Sequence, residues 1–148
     1  MTFRPAFGAL AATLLLSVTA CGPLGMSLDA EDTQDQRDPE EWANQQFGEE
    51  QWRAPGVHRA SGGIGPGAGL EFTPEKAGWY SIGMVCEGAS SMTVTITAAD
   101  GDLGTGSTDC GSEVTTTMEL PVSKVTIAVE NAEAKGLWAL AVAPAEAP

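Results

Sequence analysis

The side chains that could act as nucleophiles or bases are few. The chain has 148 residues, with one histidine, His58, and three cysteines, Cys21, Cys86 and Cys110. Nucleophilic catalysis needs an activated serine or cysteine beside a positioned base. The G-x-S-x-G sequence of many hydrolases does not occur. The sequence therefore does not indicate a catalytic triad, and we expect that the protein is not an enzyme.

Metal chemistry has one weak candidate. A single histidine and the lack of a C-x-x-C sequence argue against zinc. Loops of β-sandwiches can bind calcium through hard oxygen ligands, but the spacing here is not that of an EF-hand. Asp and Gly also form turns without any metal. We expect no cofactor, with calcium as the weaker alternative at four acids in and around one loop: Asp100, Asp102, Asp109 and Glu113.

The charge excludes two classes of partner. The formal net charge is −13, with only seven Lys and Arg residues. Nucleic-acid binding requires a basic patch, and electrostatic attraction to anionic lipid requires the same. We therefore expect no nucleic-acid partner.

The N-terminal residues have the three parts of an export signal. Arg4 carries the positive charge, an apolar run covers residues 6–18, and small residues precede Cys21. A membrane-spanning helix needs about 20 apolar residues, more than this run provides. The sequence V-T-A-C at residues 18–21 resembles the lipobox of bacterial lipoproteins. That resemblance implies a signal peptide of residues 1–20 and acyl chains on Cys21. The alternative is an ordinary secretory signal followed by an unrelated cysteine.

An acylated Cys21 would have two consequences. Two acyl chains hold a protein stably at a membrane, which predicts a cell-membrane protein facing the extracytoplasmic side. It would also leave Cys86 and Cys110 in an oxidising compartment, where we expect them to form a disulfide. The alternative is a pair of buried free thiols.

Residues 21–53 have the composition of a stalk. From residue 29 to residue 50 there are nine acids against the single Arg37. A segment of this composition has too little apolar surface to offset the entropy lost on ordering. Within this stalk, an Asp, a Pro and a Glu at residues 38–41 predict the start of a short helix over residues 39–47. Trp42 and Phe47 on that helix could dock a protein partner. The alternative is a helix that folds back on its own domain, or frays.

From residue 54 to residue 143 the apolar pattern has a period of two. Short alternating runs predict about eight strands, and Asp100-Gly101 predicts a hairpin turn. The fold class is therefore all-β, an antiparallel sandwich or jelly roll. Residues 137–142 are apolar on both faces, which predicts a strand buried centrally or under a loop. Residues 144–148 are expected to be a disordered tail. The clearest inward rows are Tyr80, Ile82, Met84 and Cys86, and Met92, Val94, Ile96 and Ala98.

Trp79 is a candidate ligand-binding residue. If Tyr80 points inward, its neighbour Trp79 points outward, because side chains alternate along a strand. An aromatic ring beside Ser81 and Gly83 could stack on a sugar. The alternative is a tryptophan covered by the stalk or by a loop.

The two cysteines with their neighbouring Gly and Trp residues resemble small exported β-domains of lipoproteins from high-GC Gram-positive bacteria. That resemblance implies a β-sandwich and no particular activity. The expectation is a lipid-anchored, non-enzymatic binding or interaction module with a protein or glycan partner in the envelope. The alternatives are a carbohydrate-binding module for envelope glycans and a purely structural envelope lipoprotein.

Overall fold

The computed structural model describes residues 37–148, so the predictions for Cys21, for the signal peptide and for residues 22–36 lie outside the described residues. The described chain is an all-β sandwich preceded by one short α-helix, α1 (Pro39–Gln46), and a 3-10 helix (Glu50–Arg53). The strands are β1 (His58–Gly63), β2 (Gly69–Phe72), β3 (Gly78–Glu87), β4 (Ser91–Ala98), β5 (Gly101–Asp109), β6 (Val114–Leu120), β7 (Val125–Glu130) and β8 (Leu137–Pro144).

Two antiparallel four-stranded sheets form the sandwich. Sheet A has the strand order β1-β8-β3-β6, and sheet B has the order β2-β7-β4-β5. The predicted inward rows of β3 and β4 pack between the sheets, together with Ile127, Leu140 and Val142 from the neighbouring strands. The predicted fold class, strand number and inward face are confirmed.

Strand β8 is buried on both faces. Trp138, Leu140 and Val142 point into the sandwich core, while Ala139 and Ala141 belong to a second apolar cluster on the outer face of sheet A. This agrees with the prediction from its two-sided apolar sequence. The strand lies between β1 and β3, so its backbone is paired on both edges as well.

The second cluster corrects the predicted domain boundary. Residues 39–53, which we call the N-terminal strap, pack Trp42, Ala43, Phe47 and Trp52 against the outer face of β8 and β3. The folded unit therefore does not begin at residue 54, as the acidic composition predicted. The buried residues of the strap are all apolar, whereas its acids are exposed to solvent.

Local sequence explains how the strap begins. The Asp38 side chain accepts hydrogen bonds from the backbone N–H groups of Glu40 and Glu41, at 2.8 and 3.2 Å. Pro39 occupies the first turn, where its missing N–H is not needed. The short helix predicted over residues 39–47 is thus present, with Phe47 as its C-cap.

The other end of the chain is also slightly longer than predicted. Strand β8 continues to Pro144, and the N–H of Ala145 donates to the carbonyl oxygen of Trp79 at 2.9 Å. The first two residues of the expected tail therefore belong to sheet A or are bonded to it.

Candidate functional site

Cys86 and Cys110 form the predicted disulfide. Cys86 lies near the end of β3 in sheet A, and Cys110 directly follows β5 in sheet B, so the bridge joins the two sheets. The Gly111 N–H donates to the Cys86 carbonyl oxygen at 2.8 Å beside it. Since both sulfur atoms are in the bridge, neither cysteine is a free nucleophile.

Both tryptophans of the strap are bonded to carboxylates of the sandwich. The indole N–H of Trp42 donates to Glu87 at 3.0 Å, and that of Trp52 donates to Glu113 at 2.9 Å. Glu87 also accepts a hydrogen bond from Arg37 at 2.7 Å. A buried indole N–H without a partner would be costly, so these two carboxylates allow the tryptophan rings to be buried.

The interpretation of Trp42 and Phe47 as docking residues for a protein partner is therefore wrong. Trp42 is 3% exposed and Phe47 is fully buried. Both rings cover the protein's own sheet A. This agrees with the alternative in which the helix folds back on its own domain. A partner could reach them only if the strap detached from sheet A.

The four acids proposed as weak calcium ligands lie at two ends of one strand. Asp100 and Asp102 flank the start of β5, whereas Asp109 is its last residue and Glu113 follows its far end. Asp102 and Asp109 are seven residues apart on an extended chain, a separation of about 23 Å. The four acids therefore do not form one site. Among residues 37–148, no three His, Cys, Asp or Glu side chains are grouped so that they could hold a metal ion.

Two of these acids have a structural use in the part of the chain that is described. The Asp102 carboxylate accepts a hydrogen bond from the Gly104 N–H at 2.9 Å, which stabilises the bulge at the start of β5. Glu113 holds the Trp52 indole. The turn chemistry considered as the alternative explains Asp102 directly.

His58 packs against an aromatic ring. The His58 and Phe72 ring centroids are 4.6 Å apart, with the two residues on the edge strands β1 and β2. This contact joins the two sheets at that edge of the sandwich. The role that this contact gives His58 is one of packing.

Trp79 lies on the outer face of sheet A, as predicted. Its neighbours Tyr80 and Ile82 are buried in the sandwich core, so Trp79, Ser81 and Gly83 occupy the opposite face. Trp79 is half-buried and pairs in register with Glu119 of β6. Next to it, Ser81 pairs with Thr117. A partly exposed ring beside hydroxyl and carboxylate groups is a surface on which a sugar could stack.

A cleft between the sheets was not predicted from the sequence. It has a volume of about 200 Å³ and opens where the edge strands β5 and β6 face each other. Its residues are mostly apolar or lack a side chain. They are Met84, Val94, Ile96, Gly104, Thr105, Gly106, Thr116 and Met118.

The cleft exists because β5 carries two glycines on its inward face. Gly104 pairs with Ile96 and Gly106 pairs with Val94, two residues of the inward row of β4. A Cβ atom at residue 106 would meet nothing within 4 Å, and one at residue 104 would meet only the Met118 methyl group, at 4.0 Å. The sequence signal was the G-x-G spacing of Gly104 and Gly106 within the strand.

Comparison with known proteins supplies no family. No protein-family model matches the chain, and no curated protein matches it closely enough to count as a relative. Among residues 37–148, no helix combines the length and the apolar composition that crossing a membrane requires. The function must therefore be argued from the residues themselves.

Proposed function

We propose that this protein is a lipid-anchored lipoprotein of the extracytoplasmic membrane surface, whose sandwich is a non-enzymatic binding module. The acyl chains on Cys21 hold it at the membrane, and residues 22–38 connect the anchor to the strap. The sandwich then acts through its surface, on a protein or glycan of the envelope.

The Cys86–Cys110 disulfide is the observation that carries this proposal. Disulfides persist in oxidising compartments and are rare in the cytosol, so the bridge supports export. It also uses both cysteines of the domain. That leaves Cys21, which directly follows the apolar run and the small residues of the export-type sequence, as the one thiol available for lipid.

Metabolic labelling with an alkyne fatty acid tests the anchor. The full-length protein should be labelled and should sediment with membranes, whereas Cys21→Ser should lose the label and should either leave the membrane fraction or keep its signal peptide. The double variant Cys86→Ser/Cys110→Ser is the matched control, because it removes two thiols and should keep the label. A Cys21→Ser protein that is labelled and sediments like the wild type would refute the anchor.

The second candidate is a carbohydrate-binding module centred on Trp79. The half-buried ring on the outer face of sheet A, beside Ser81 and Thr117, favours it. Screening the full-length protein on an array of envelope glycans tests this function. Trp79→Ala should abolish glycan binding and leave the melting temperature nearly unchanged. Glycan binding that survives in Trp79→Ala would remove this residue from the site.

A further inference from the structure

The two lateral edges of the sandwich differ. At one edge, α1 packs against β1, and the His58 and Phe72 rings join β1 to β2. At the other edge, β5 and β6 are the last strands of their sheets, and no described strand pairs with their outer edges. The cleft of about 200 Å³ opens at this second edge.

Strand β5 lacks most of the features that protect exposed edges. Natural edge strands are shielded by Lys or Pro residues, by bulges or by covering elements. Here a bulge lies near the start of β5, opposite Ile96 and Thr97. The following residues, 103–108, carry no charge and no proline. An antiparallel ladder uses alternate residues of an edge strand, so the remaining N–H and C=O groups face outward. Apart from the Gly104 N–H, which donates to Asp102, these groups can accept another strand.

The cleft provides room for side chains of such an added strand. Gly104 and Gly106 face inward, and the space beside them is bounded by Met84 and Met118. A cavity of about 150 Å³ lined by apolar side chains accepts a benzene-sized group. An aliphatic side chain placed next to the glycines would therefore fill the cleft and cover the ends of both methionines.

The charged residues on β5 and β6 are all acidic: Asp102 and Asp109 on β5, and Glu119 on β6. Between residues 77 and 123 there is no Lys, Arg or His, but there are six acids. Asp102 and Asp109 lie on β5 itself, on either side of the uncharged segment. A second copy of this chain would bring the same acids together, and like charges across strands are destabilising. Complementarity instead favours a partner with basic residues.

We propose that the β5 edge binds an extended peptide segment of a partner protein by strand addition. The segment carries alternating aliphatic side chains that enter the cleft beside Gly104 and Gly106. It carries basic residues about seven positions apart, which lie near Asp102 and Asp109. Main-chain hydrogen bonds supply much of the affinity in this type of recognition, and the pockets for alternate side chains supply the specificity. The inference rests on the proposed binding function and names its partner class.

A synthetic peptide tests the proposal directly. The probe is the eight-residue peptide Lys-Thr-Val-Thr-Val-Thr-Val-Lys, with capped ends, titrated into the ¹⁵N-labelled full-length protein in detergent micelles. Chemical-shift changes should be confined to β5, to β6 and to the cleft residues Met84, Val94 and Ile96. One control peptide has Glu in place of both Lys residues, and another has Pro in place of the central Val. Both should bind at least tenfold more weakly, because the first repels the acids and the second cannot complete the ladder.

Two variants separate the contributions of the cleft and the charges. Gly106→Val fills the cleft from within and should weaken binding of the Lys peptide at least tenfold. Asp102→Asn/Asp109→Asn should weaken it severalfold and reduce its salt dependence, since asparagine keeps the oxygen that accepts from Gly104. Glu40→Gln/Glu41→Gln removes the same charge from α1, on the far side of sheet A, and should leave the affinity unchanged.

Several results would overturn the proposal: no binding of the Lys peptide, equal binding of the Glu or Pro peptide, or shifts outside β5, β6 and the residues that line the cleft. If Glu40→Gln/Glu41→Gln lost as much affinity as Asp102→Asn/Asp109→Asn, the peptide would be responding to the net charge of the protein and not to a site on β5. If Gly106→Val does not fold, the Asp102→Asn/Asp109→Asn variant and the control peptides still test the proposal. Fatty-acid labelling of Cys21 is independent of this titration, so failure here leaves the membrane anchor standing, and failure of the anchor leaves the strand-binding site standing.

Discussion

The indole ring of Trp52 occupies the space that a side chain at residue 83 would need. A Cβ atom on Gly83 would lie 2.7 Å from Cζ2 of Trp52 and 3.0 Å from Cε1 of Phe47. Gly83 is not among the glycines with a positive φ, so its backbone conformation is open to other residues. The strap therefore requires that residue 83 has no side chain. It does not require the conformational freedom of glycine there.

We expect Gly83→Ala to destabilise the protein by about 1–3 kcal/mol, the usual cost of overpacking. Its effect should be measured as a change in the free energy of unfolding by urea. Gly65→Ala is the matched control, because a Cβ atom there would meet nothing within 4 Å. An alanine at residue 83 that is as stable as the wild type would show that the strap does not rest on β3.

Backbone amides of the strap should be protected from hydrogen exchange. The N–H groups of Trp42, Phe47 and Trp52 donate to carbonyl oxygens at 3.0, 2.9 and 3.2 Å. Exchange should therefore be slower than in an unstructured peptide and should accelerate in Gly83→Ala. Exchange at the unstructured rate in the wild-type protein would restore the stalk boundary at residue 53.

Truncation of Trp42 should cost stability. Removing a large buried aromatic side chain costs about 3–5 kcal/mol, and Trp42→Ala also removes the hydrogen bond to Glu87. Trp79→Ala is the comparison, since that ring is only half-buried and should cost much less. The measurement is thermal unfolding of both variants. A Trp42→Ala protein with wild-type stability that has lost an envelope partner would revive the docking interpretation.

The disulfide should contribute substantially to stability. Cys86 and Cys110 are separated by 24 positions, and a loop of this length corresponds to about 3.5 kcal/mol in the chain-entropy account. Urea unfolding of Cys86→Ala/Cys110→Ala measures the loss. Thiol labelling of the natively purified protein should find neither cysteine, and stoichiometric labelling of both would contradict the bridge.

Glu133 supplies a pH-dependent contact. Hydrogen bonds from Ser90, and then the neighbouring Lys135, lower the pKa of the Glu133 carboxyl below its ordinary value. A lowered pKa in the folded state means that the contribution to stability is present above the ordinary carboxyl pKa. It is lost as the pH falls through the lowered value. Titration followed by NMR should show the low pKa in the wild type and a rise towards the ordinary value in Ser90→Ala. An unchanged pKa in that variant would remove Ser90 as its cause.

The sequence by itself determined the elements and their inward faces. The alternation of Met92, Val94 and Ile96 predicts one buried face wherever the strand is placed, because side chains alternate along any extended chain. Asp38 and Pro39 predict the start of α1 for an equally local reason. Such signals lie within a few residues of the feature that they specify, so they can be interpreted without knowing what lies opposite.

The tertiary structure decided what covers each face and which acids come together. Residues 137–142 showed that β8 needed cover on both faces, but not that residues 39–53 supply it. Trp42 and its acceptor Glu87 are 45 positions apart, and the local sequence around either residue does not predict contact with the other. The four acids near β5 looked like one group because they are close in sequence. The extended strand, however, places Asp102 and Asp109 about 23 Å apart. Periodicity is a local property, whereas packing and site geometry depend on contacts between residues that are distant in the chain.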